Sequence, residues 1–206
     1  LDVKDNFELS ARYAGLSGYL LAASTKNYLI KGANDNSFFE TSDVRKMIKF
    51  YKSRNERIVI IGYTYLIYDK LLSFLKNNSD ILDFPSDTIL IHFGGWKKLK
   101  DRSISKNKLN SLIKKYLNIK EKNIIDIYGF SEQLGTIYPS RGNEGCRVPA
   151  YAEVIVRNTD DLKPVKDGQI GFLQFISPIA TSYPGLSILN DDLGKIIYRN
   201  ENHIEF

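Results

Sequence analysis

The sequence has 206 residues, 43% hydrophobic and 26% charged, with a net charge of +5 and a pI near 9.1. That length and balance describe an ordinary globular chain of one domain or two unequal ones. No apolar run approaches the roughly 20 residues that span a bilayer, no signal peptide is legible, and the single Cys146 excludes an internal disulfide and a multi-cysteine zinc site. One unpaired thiol fits a reducing cytoplasm, which is the expected location. Lysines interleaved with acids along the whole chain argue against a nucleic-acid partner. The densest basic stretch, Trp96-Lys97-Lys98-Leu99-Lys100-Asp101-Arg102, is expected to be a solvated loop that could steer an anionic substrate. The chain opens on Leu1 rather than Met, so the natural polypeptide is expected to begin further upstream.

Residues 1–40 carry an Ala/Gly/Ser/Tyr-rich stretch from Ala11 to Ser24 and an Asn-rich turn at Gly32-Ala33-Asn34-Asp35-Asn36, and stay unassigned. Thr41-Ser42-Asp43 can cap a helix whose inner face carries Val44, Met47, Ile48 and Tyr51. Ile58-Val59-Ile60-Ile61-Gly62 reads as a buried parallel strand. A helix over 65–76 follows, with Ile67, Leu71 and Leu75 inward. A second buried strand, Thr88-Ile89-Leu90-Ile91-His92-Phe93, ends at Gly94-Gly95, with His92 as a hydrogen-bonded core residue. Ser105 caps a third helix with Leu109, Leu112, Ile113, Tyr116 and Leu117 on one stripe, and Ile124–Tyr128 is the third strand. This alternation predicts an α/β fold class, a parallel sheet layer with helices, over residues 1–135.

After Gly135 the texture changes. Strands are expected at Val148–Arg157, Gln169–Ser177, Lys195–Arg199 and His203–Phe206, with a turn at Lys163–Gly168. Residues 136–206 are therefore expected to form a mostly antiparallel β subdomain. His203, close to the end, is expected to be exposed.

Special residues gather where strands end, the location at which open parallel sheets bind ligands. In Phe93-Gly94-Gly95-Trp96-Lys97 the paired glycines let the backbone approach a flat ligand, or simply make a tight turn. In Tyr128-Gly129-Phe130-Ser131-Glu132-Gln133 the tyrosine could stack on a purine, Ser131 could donate to a phosphate and Glu132 could ligate Mg²⁺. The competing view is a core tyrosine and an exposed glutamate capping the next turn. In Ser182-Tyr183-Pro184-Gly185 followed by Asn190-Asp191-Asp192-Leu193-Gly194, two carboxylates precede a glycine turn. Such pairs are commonly just solvated, yet one carboxylate can accept both hydroxyls of a ribose. Asp–His pairing and a P-loop are not legible, so a hydrolase triad and a P-loop NTPase lack support. Cys146 has arginine neighbours that could lower its pKa, against the simpler reading of an inert thiol.

In this order and spacing the three segments resemble the AMP-forming adenylating enzymes, and more closely the LuxE-type acyl-protein synthetases related to phenylacetate–CoA ligases. Val148-Pro149 and Leu162-Lys163-Pro164-Val165 before Gly168 add to the likeness, which runs over about residues 58–195. The resemblance implies the large domain of an adenylate-forming enzyme, with ATP/AMP and Mg²⁺ as cofactors. It implies Gly94, Gly95 and Trp96 lining the adenine and acyl pocket, Tyr128 stacking on adenine, and Gly129 and Phe130 beside the nucleotide. It implies Ser131 at the phosphate, Glu132 on Mg²⁺ and Asp192 on the ribose. The implied reaction is activation of a fatty or other hydrophobic carboxylic acid as acyl-AMP, then transfer to a protein cysteine. An acyl-acceptor or reductase protein is the implied partner. The family's Ser/Thr/Gly-rich phosphate loop, small C-terminal lobe and late acyl-accepting cysteine have no counterpart here, so a partial chain, inactive in turnover by itself, is expected. Two alternatives stay open: a ligase that transfers to coenzyme A, and a non-catalytic nucleotide-binding scaffold.

Overall fold

The computed structural model describes residues 18–31, 38–133, 135–179 and 183–206. Residues 11–17, the Asn-rich turn at 32–36 and Ser182 lie outside the described residues. Packing divides the chain into two compact units, 1–125 and 126–206, upstream of the change in sequence texture at Gly135.

The first unit opens with a short antiparallel pair, β1 (Ile30–Lys31) and β2 (Phe38–Phe39), within the stretch that the sequence leaves unassigned. Helix α1 (Thr41–Ser53) buries Val44 and Ile48, with Met47 and Tyr51 packed beside them. Its start differs from expectation. Thr41 is already helical, and Glu40 occupies the capping position without a side-chain bond, because the Val44 amide already pairs with the Glu40 carbonyl at 3.4 Å. Asp43 then sits in the first turn, where a carboxylate complements the helix dipole.

Strand β3 (Val59–Tyr63) leads into a helical run, α2, made of Thr64–Leu66, a π-helical Ile67–Leu72 and Ser73–Asn77. The Ser73 amide and hydroxyl both reach the Tyr68 carbonyl, the hydroxyl at 2.9 Å. Leu72 is buried beside Ile67, Leu71 and Leu75, a further member of the same apolar face.

Strand β4 (Ile89–Phe93) runs parallel to β3, in register from Val59↔Ile89 to Tyr63↔Phe93. Helix α3 (Lys106–Leu117) begins as its sequence indicates, with the Ser105 hydroxyl accepting from the Lys108 amide at 3.3 Å. It ends on Asn118 in the left-handed region, whose side chain donates to Asp83 at 2.7 Å. Strand β5 (Ile124–Tyr128) carries the chain from the first unit into the second.

The second unit holds β6 (Tyr138–Arg141), β7 (Glu153–Arg157), β8 (Gly171–Ile176), β9 (Ser187–Gly194), β10 (Tyr198–Asn200) and β11 (His203–Glu205). Strands β7, β8 and β9 form an antiparallel sheet in that order, and β10 pairs antiparallel with β11. The β-rich character matches the sequence, but several boundaries move. The strand expected over Val148–Arg157 splits at Pro149, which has no N–H to give. Before the break, Cys146 and Val148 donate to the carbonyls of Phe206 and Ile204; β7 starts only at Glu153. The turn expected at Lys163–Gly168 narrows to Lys166–Gln169, where the Gln169 N–H donates to the Lys166 carbonyl at 3.1 Å and Gly168 takes φ 87°. A second turn precedes it. The Asn158 amide donates to the Lys163 carbonyl, Leu162 takes φ 57°, and Pro164 already bridges back to Arg157. Ile196 is buried outside any strand, so the strand expected at Lys195–Arg199 begins only at Tyr198.

Strand β6 is not legible in the sequence, and β9 is the larger correction. Asp191 and Asp192 were expected to precede a glycine turn, yet they lie inside β9. Gly194 is there for close approach: it faces Gly171, and a Cβ on it would meet Leu173 at 2.9 Å. A Cβ on Gly171 would lie 2.1 Å from the Arg157 carbonyl oxygen. The core of this unit gathers Tyr138, Val148, Val154, Val156, Leu173, Phe175 and Ile196.

Candidate functional site

In the first unit the polar and glycine residues sit where β4 ends. His92 is buried, its Nδ1 2.9 Å from the Thr64 hydroxyl, the core role that its position indicates. Gly94 takes φ +74°, and a Cβ there would press on the Tyr63 ring at 3.1 Å, so this position favours glycine twice over. Nothing stands within 4 Å of a Cβ built on Gly95, and both glycines are exposed. The Trp96 ring packs edge-on against Tyr68 at 5.1 Å. The result is a stretch of bare backbone with anchored aromatic neighbours, able to meet a planar ligand. Residues Lys97–Arg102 form a 3-10 turn, with Lys100, Asp101 and Arg102 exposed and Arg102 reaching Asp69 at 3.1 Å. This unit also holds a cleft of about 640 Å³ whose lining includes Met47, Tyr51, Val59, Ile61 and Ile91. None of the motif residues lines it.

The second unit holds the other motif residues. Tyr128, the last residue of β5, enters an aromatic cluster. Its ring stacks on Phe175 at 5.7 Å and meets Phe130, Tyr138 and Phe206 at 6.0, 6.2 and 5.8 Å. Its hydroxyl donates to Asp192 Oδ2 at 2.6 Å and accepts from the Asn190 amide at 3.2 Å. The Asn190 side-chain oxygen in turn accepts from the Asp192 backbone N–H at 3.1 Å. Burial, then the hydrogen bond to Asp192, push the Tyr128 hydroxyl far above its ordinary pKa, so it stays a donor. Asp192 itself is exposed, and a carboxylate with one oxygen so engaged keeps acceptor capacity for further donors.

Gly129 is exposed, and a Cβ there would only touch the Thr136 carbonyl at an ordinary 3.7 Å. Ser131 and Glu132 stand on a 3-10 turn, Ser131–Gln133. The Ser131 hydroxyl donates to Glu132 Oε2 at 3.1 Å, and both side chains are exposed. Gln133 closes the turn from inside: it is 1% exposed and bonded to Tyr138, Phe175 and Gly185. Gln133 and Asn190 lie within the motifs, but their residue type alone indicates no role. A buried amide and a surface amide look alike in sequence, and only the partners tell them apart.

Tyr183, Pro184 and Gly185 are described, with Gly185 buried. Cys146 is half-buried and its backbone pairs with Phe206 in both directions, at 2.8 and 3.1 Å. His203, expected to be exposed, is partly buried because its ring holds Glu205 at 2.6 Å. Among the described residues no three His, Cys, Asp or Glu cluster as a metal site. A cation at Glu132 would therefore lean on one carboxylate, ligand oxygens and water, the coordination that Mg²⁺ accepts.

A family model described as "Acyl-protein synthetase, LuxE" matches residues 2–204. Two curated relatives are long-chain-fatty-acid–luciferin-component ligases. The Vibrio harveyi protein is 27% identical over 145 residues, covering 70% of this chain and 38% of that one. The Aliivibrio fischeri protein is 27% identical over 163 residues, covering 79% and 42%. The chain thus spans about two fifths of the length of these relatives. Among solved structures, an open conformation of 2-hydroxyisobutyryl-CoA ligase with 2-HIB-AMP and CoA aligns with TM-score 0.61. It is 14% identical and covers 98% of this chain and 42% of that chain. The O-succinylbenzoate coenzyme A synthetase of Bacillus subtilis, in complex with ATP and magnesium ion, aligns with TM-score 0.51. It is 14% identical and covers 81% and 34%. At these identities the structural likeness speaks for the fold, the large domain of adenylate-forming enzymes.

Proposed function

Because the chain belongs to the LuxE acyl-protein synthetase family, we propose that it carries nucleotide-binding residues of an enzyme that activates a long-chain fatty acid as acyl-AMP. The acyl group then passes to a protein cysteine thiol. The observation that carries this is the 2.6 Å bond from Tyr128 to Asp192, which joins two motifs at one place in the second unit.

In the activation step a carboxylate oxygen of the fatty acid attacks the α-phosphorus of ATP. The bond to the bridging oxygen breaks, pyrophosphate leaves, and acyl-AMP forms. A thiolate sulfur then attacks the acyl carbon, and AMP departs. Within this scheme Asp192 accepts the ribose hydroxyls, held in place by Tyr128 and Asn190. Tyr128 and Phe130 offer aromatic surface to the adenine, and Gly129 leaves the backbone open beside it. Ser131 donates to a phosphate oxygen. Glu132, an exposed oxygen donor on a short turn, suits Mg²⁺, and that ion when bound supplies neutralising charge at the phosphoryl oxygens. In the first unit Gly94, Gly95 and Trp96 are assigned to nucleotide and acyl contact. Positioning and electrostatic stabilisation would carry most of the rate.

The test is pyrophosphate release by the full-length protein across a panel of carboxylates. Release that depends on long-chain fatty acids is expected, and none with any carboxylate would remove the ligase proposal. Radiolabelled acyl transfer to a protein thiol is expected next. Transfer to coenzyme A alone would replace the acyl-protein assignment.

A further inference from the structure

Gln133 is the least expected residue of the second unit. It follows an exposed glutamate on a three-residue turn, where a solvated side chain is the ordinary outcome, yet it is 1% exposed. Burying a glutamine amide is tolerated only when its hydrogen bonds are met, and here the partners dictate how it lies. Nε2 donates to the carbonyls of Phe175 at 3.5 Å and Gly185 at 3.4 Å. Oε1 accepts from the Tyr138 hydroxyl at 2.8 Å. Carbonyl oxygens only accept, so the amide has one orientation. The backbone of the same turn is closed by Gln133 N–H to the Phe130 carbonyl at 3.3 Å and Thr136 N–H to the Gln133 carbonyl at 3.4 Å. Next to it the buried hydroxyls of Thr136 and Ser177 lie 2.6 Å apart.

We infer that Gln133 is a positioning residue for Glu132: its buried amide ties the Ser131–Gln133 turn to β6, to β8 and to the Tyr183–Gly185 segment. This rests on the proposed role of Glu132 as the Mg²⁺-binding carboxylate. A lone exposed carboxylate on a short turn holds a cation poorly unless its backbone is fixed, and here the neighbouring side chain does the fixing from inside. One of the three ties reaches Gly185, so the turn that carries the glutamate is also joined to the Tyr-Pro-Gly segment within the second unit.

The experiment compares Gln133→Glu, Gln133→Leu and Tyr138→Phe with wild type in the full-length protein. Gln133→Glu keeps the volume but turns two donors into acceptors facing carbonyls. Gln133→Leu removes all three bonds. Tyr138→Phe removes one bond and leaves the ring in the core, so it serves if the first two fold poorly. Melting temperature, calorimetric affinity for AMP and for Mg²⁺-ATP, and the Mg²⁺ requirement of pyrophosphate release are measured on each. Both Gln133 variants are expected to weaken Mg²⁺-ATP binding and raise the Mg²⁺ requirement by about 10- to 100-fold. Tyr138→Phe shifts both in the same direction but less, and AMP affinity stays near wild type in all three. A drop in melting temperature with wild-type Mg²⁺ dependence would overturn the positioning role, as would equal weakening of AMP and Mg²⁺-ATP. A wild-type Mg²⁺ requirement in Glu132→Ala would instead remove the Glu132 assignment, and the positioning role with it.

Discussion

The hydroxyl of Tyr128 donates to Asp192 Oδ2 at 2.6 Å across 64 positions of sequence. The strand-end tyrosine thus holds the β9 carboxylate, with the Asn190 amide bracing the hydroxyl from the other side. Tyr128→Phe keeps the ring in its aromatic cluster and removes only the donor. Nucleotide affinity is expected to fall by roughly 5-fold, about 1 kcal/mol, with a much smaller change in melting temperature. Calorimetry with AMP and a thermal melt check both. A loss of stability without a loss of affinity would mean that the bond serves the fold alone.

Burial of two tyrosine hydroxyls sets a pH dependence, to which the Asp192 bond adds at Tyr128. The pKa values of Tyr128 and Tyr138 are both raised above the ordinary 10.0, chiefly by burial. A raised folded-state pKa means that the folded protein keeps these protons when the unfolded chain has begun to lose them. Their contribution is therefore complete below about pH 10 and declines as the pH climbs above it. Ultraviolet titration should show two tyrosines that ionise only as the second unit unfolds. Ionisation of every tyrosine near the ordinary value in the folded state would contradict this.

Phe175 is fully buried and its ring touches Tyr128, Phe130, Tyr138 and Phe206. Phe175→Ala should cost about 3–5 kcal/mol through lost burial and a cavity. Because its ring also stacks on Tyr128, nucleotide binding should fall together with stability. Denaturant unfolding followed by a near-ultraviolet aromatic signal measures the effect.

Two glycines give opposite expectations. Gly171→Ala places a methyl 2.1 Å from the Arg157 carbonyl oxygen, so β7 and β8 must separate, at a cost of about 1–3 kcal/mol. Gly95→Ala meets nothing within 4 Å and should change stability by less than about 0.5 kcal/mol. Any fall in nucleotide or acyl affinity in Gly95→Ala then reports contact with ligand.

The first unit is the more legible in sequence. Its strands are continuous apolar runs and its helices carry regular stripes, so Ile58–Gly62 and Leu109–Leu117 declare themselves through burial alone. What escaped there was the short β1–β2 pair, the π turn at Ile67–Leu72, and a helix whose cap, Glu40, lies one residue before the apparent one. The second unit is harder. Strand β9 mixes Asn190, Asp191 and Asp192 with leucines exposed at Leu189 and Leu193, so no alternation marks it. Its glycine partner Gly171 looks like a turn residue but serves close strand approach. In the candidate site the charged and aromatic members stood out by type. The amides Gln133 and Asn190 did not, because their function depends on buried or bridging geometry that no spacing encodes.

The most direct measurement is calorimetric titration of the full-length protein with a non-hydrolysable long-chain acyl-adenylate. Wild type should bind, and Asp192→Ala and Tyr128→Phe should both weaken binding, Asp192→Ala the more. Their double variant should lose little beyond Asp192→Ala, because the two residues act through one contact. Equal binding by all four proteins would contradict a nucleotide site at Tyr128 and Asp192.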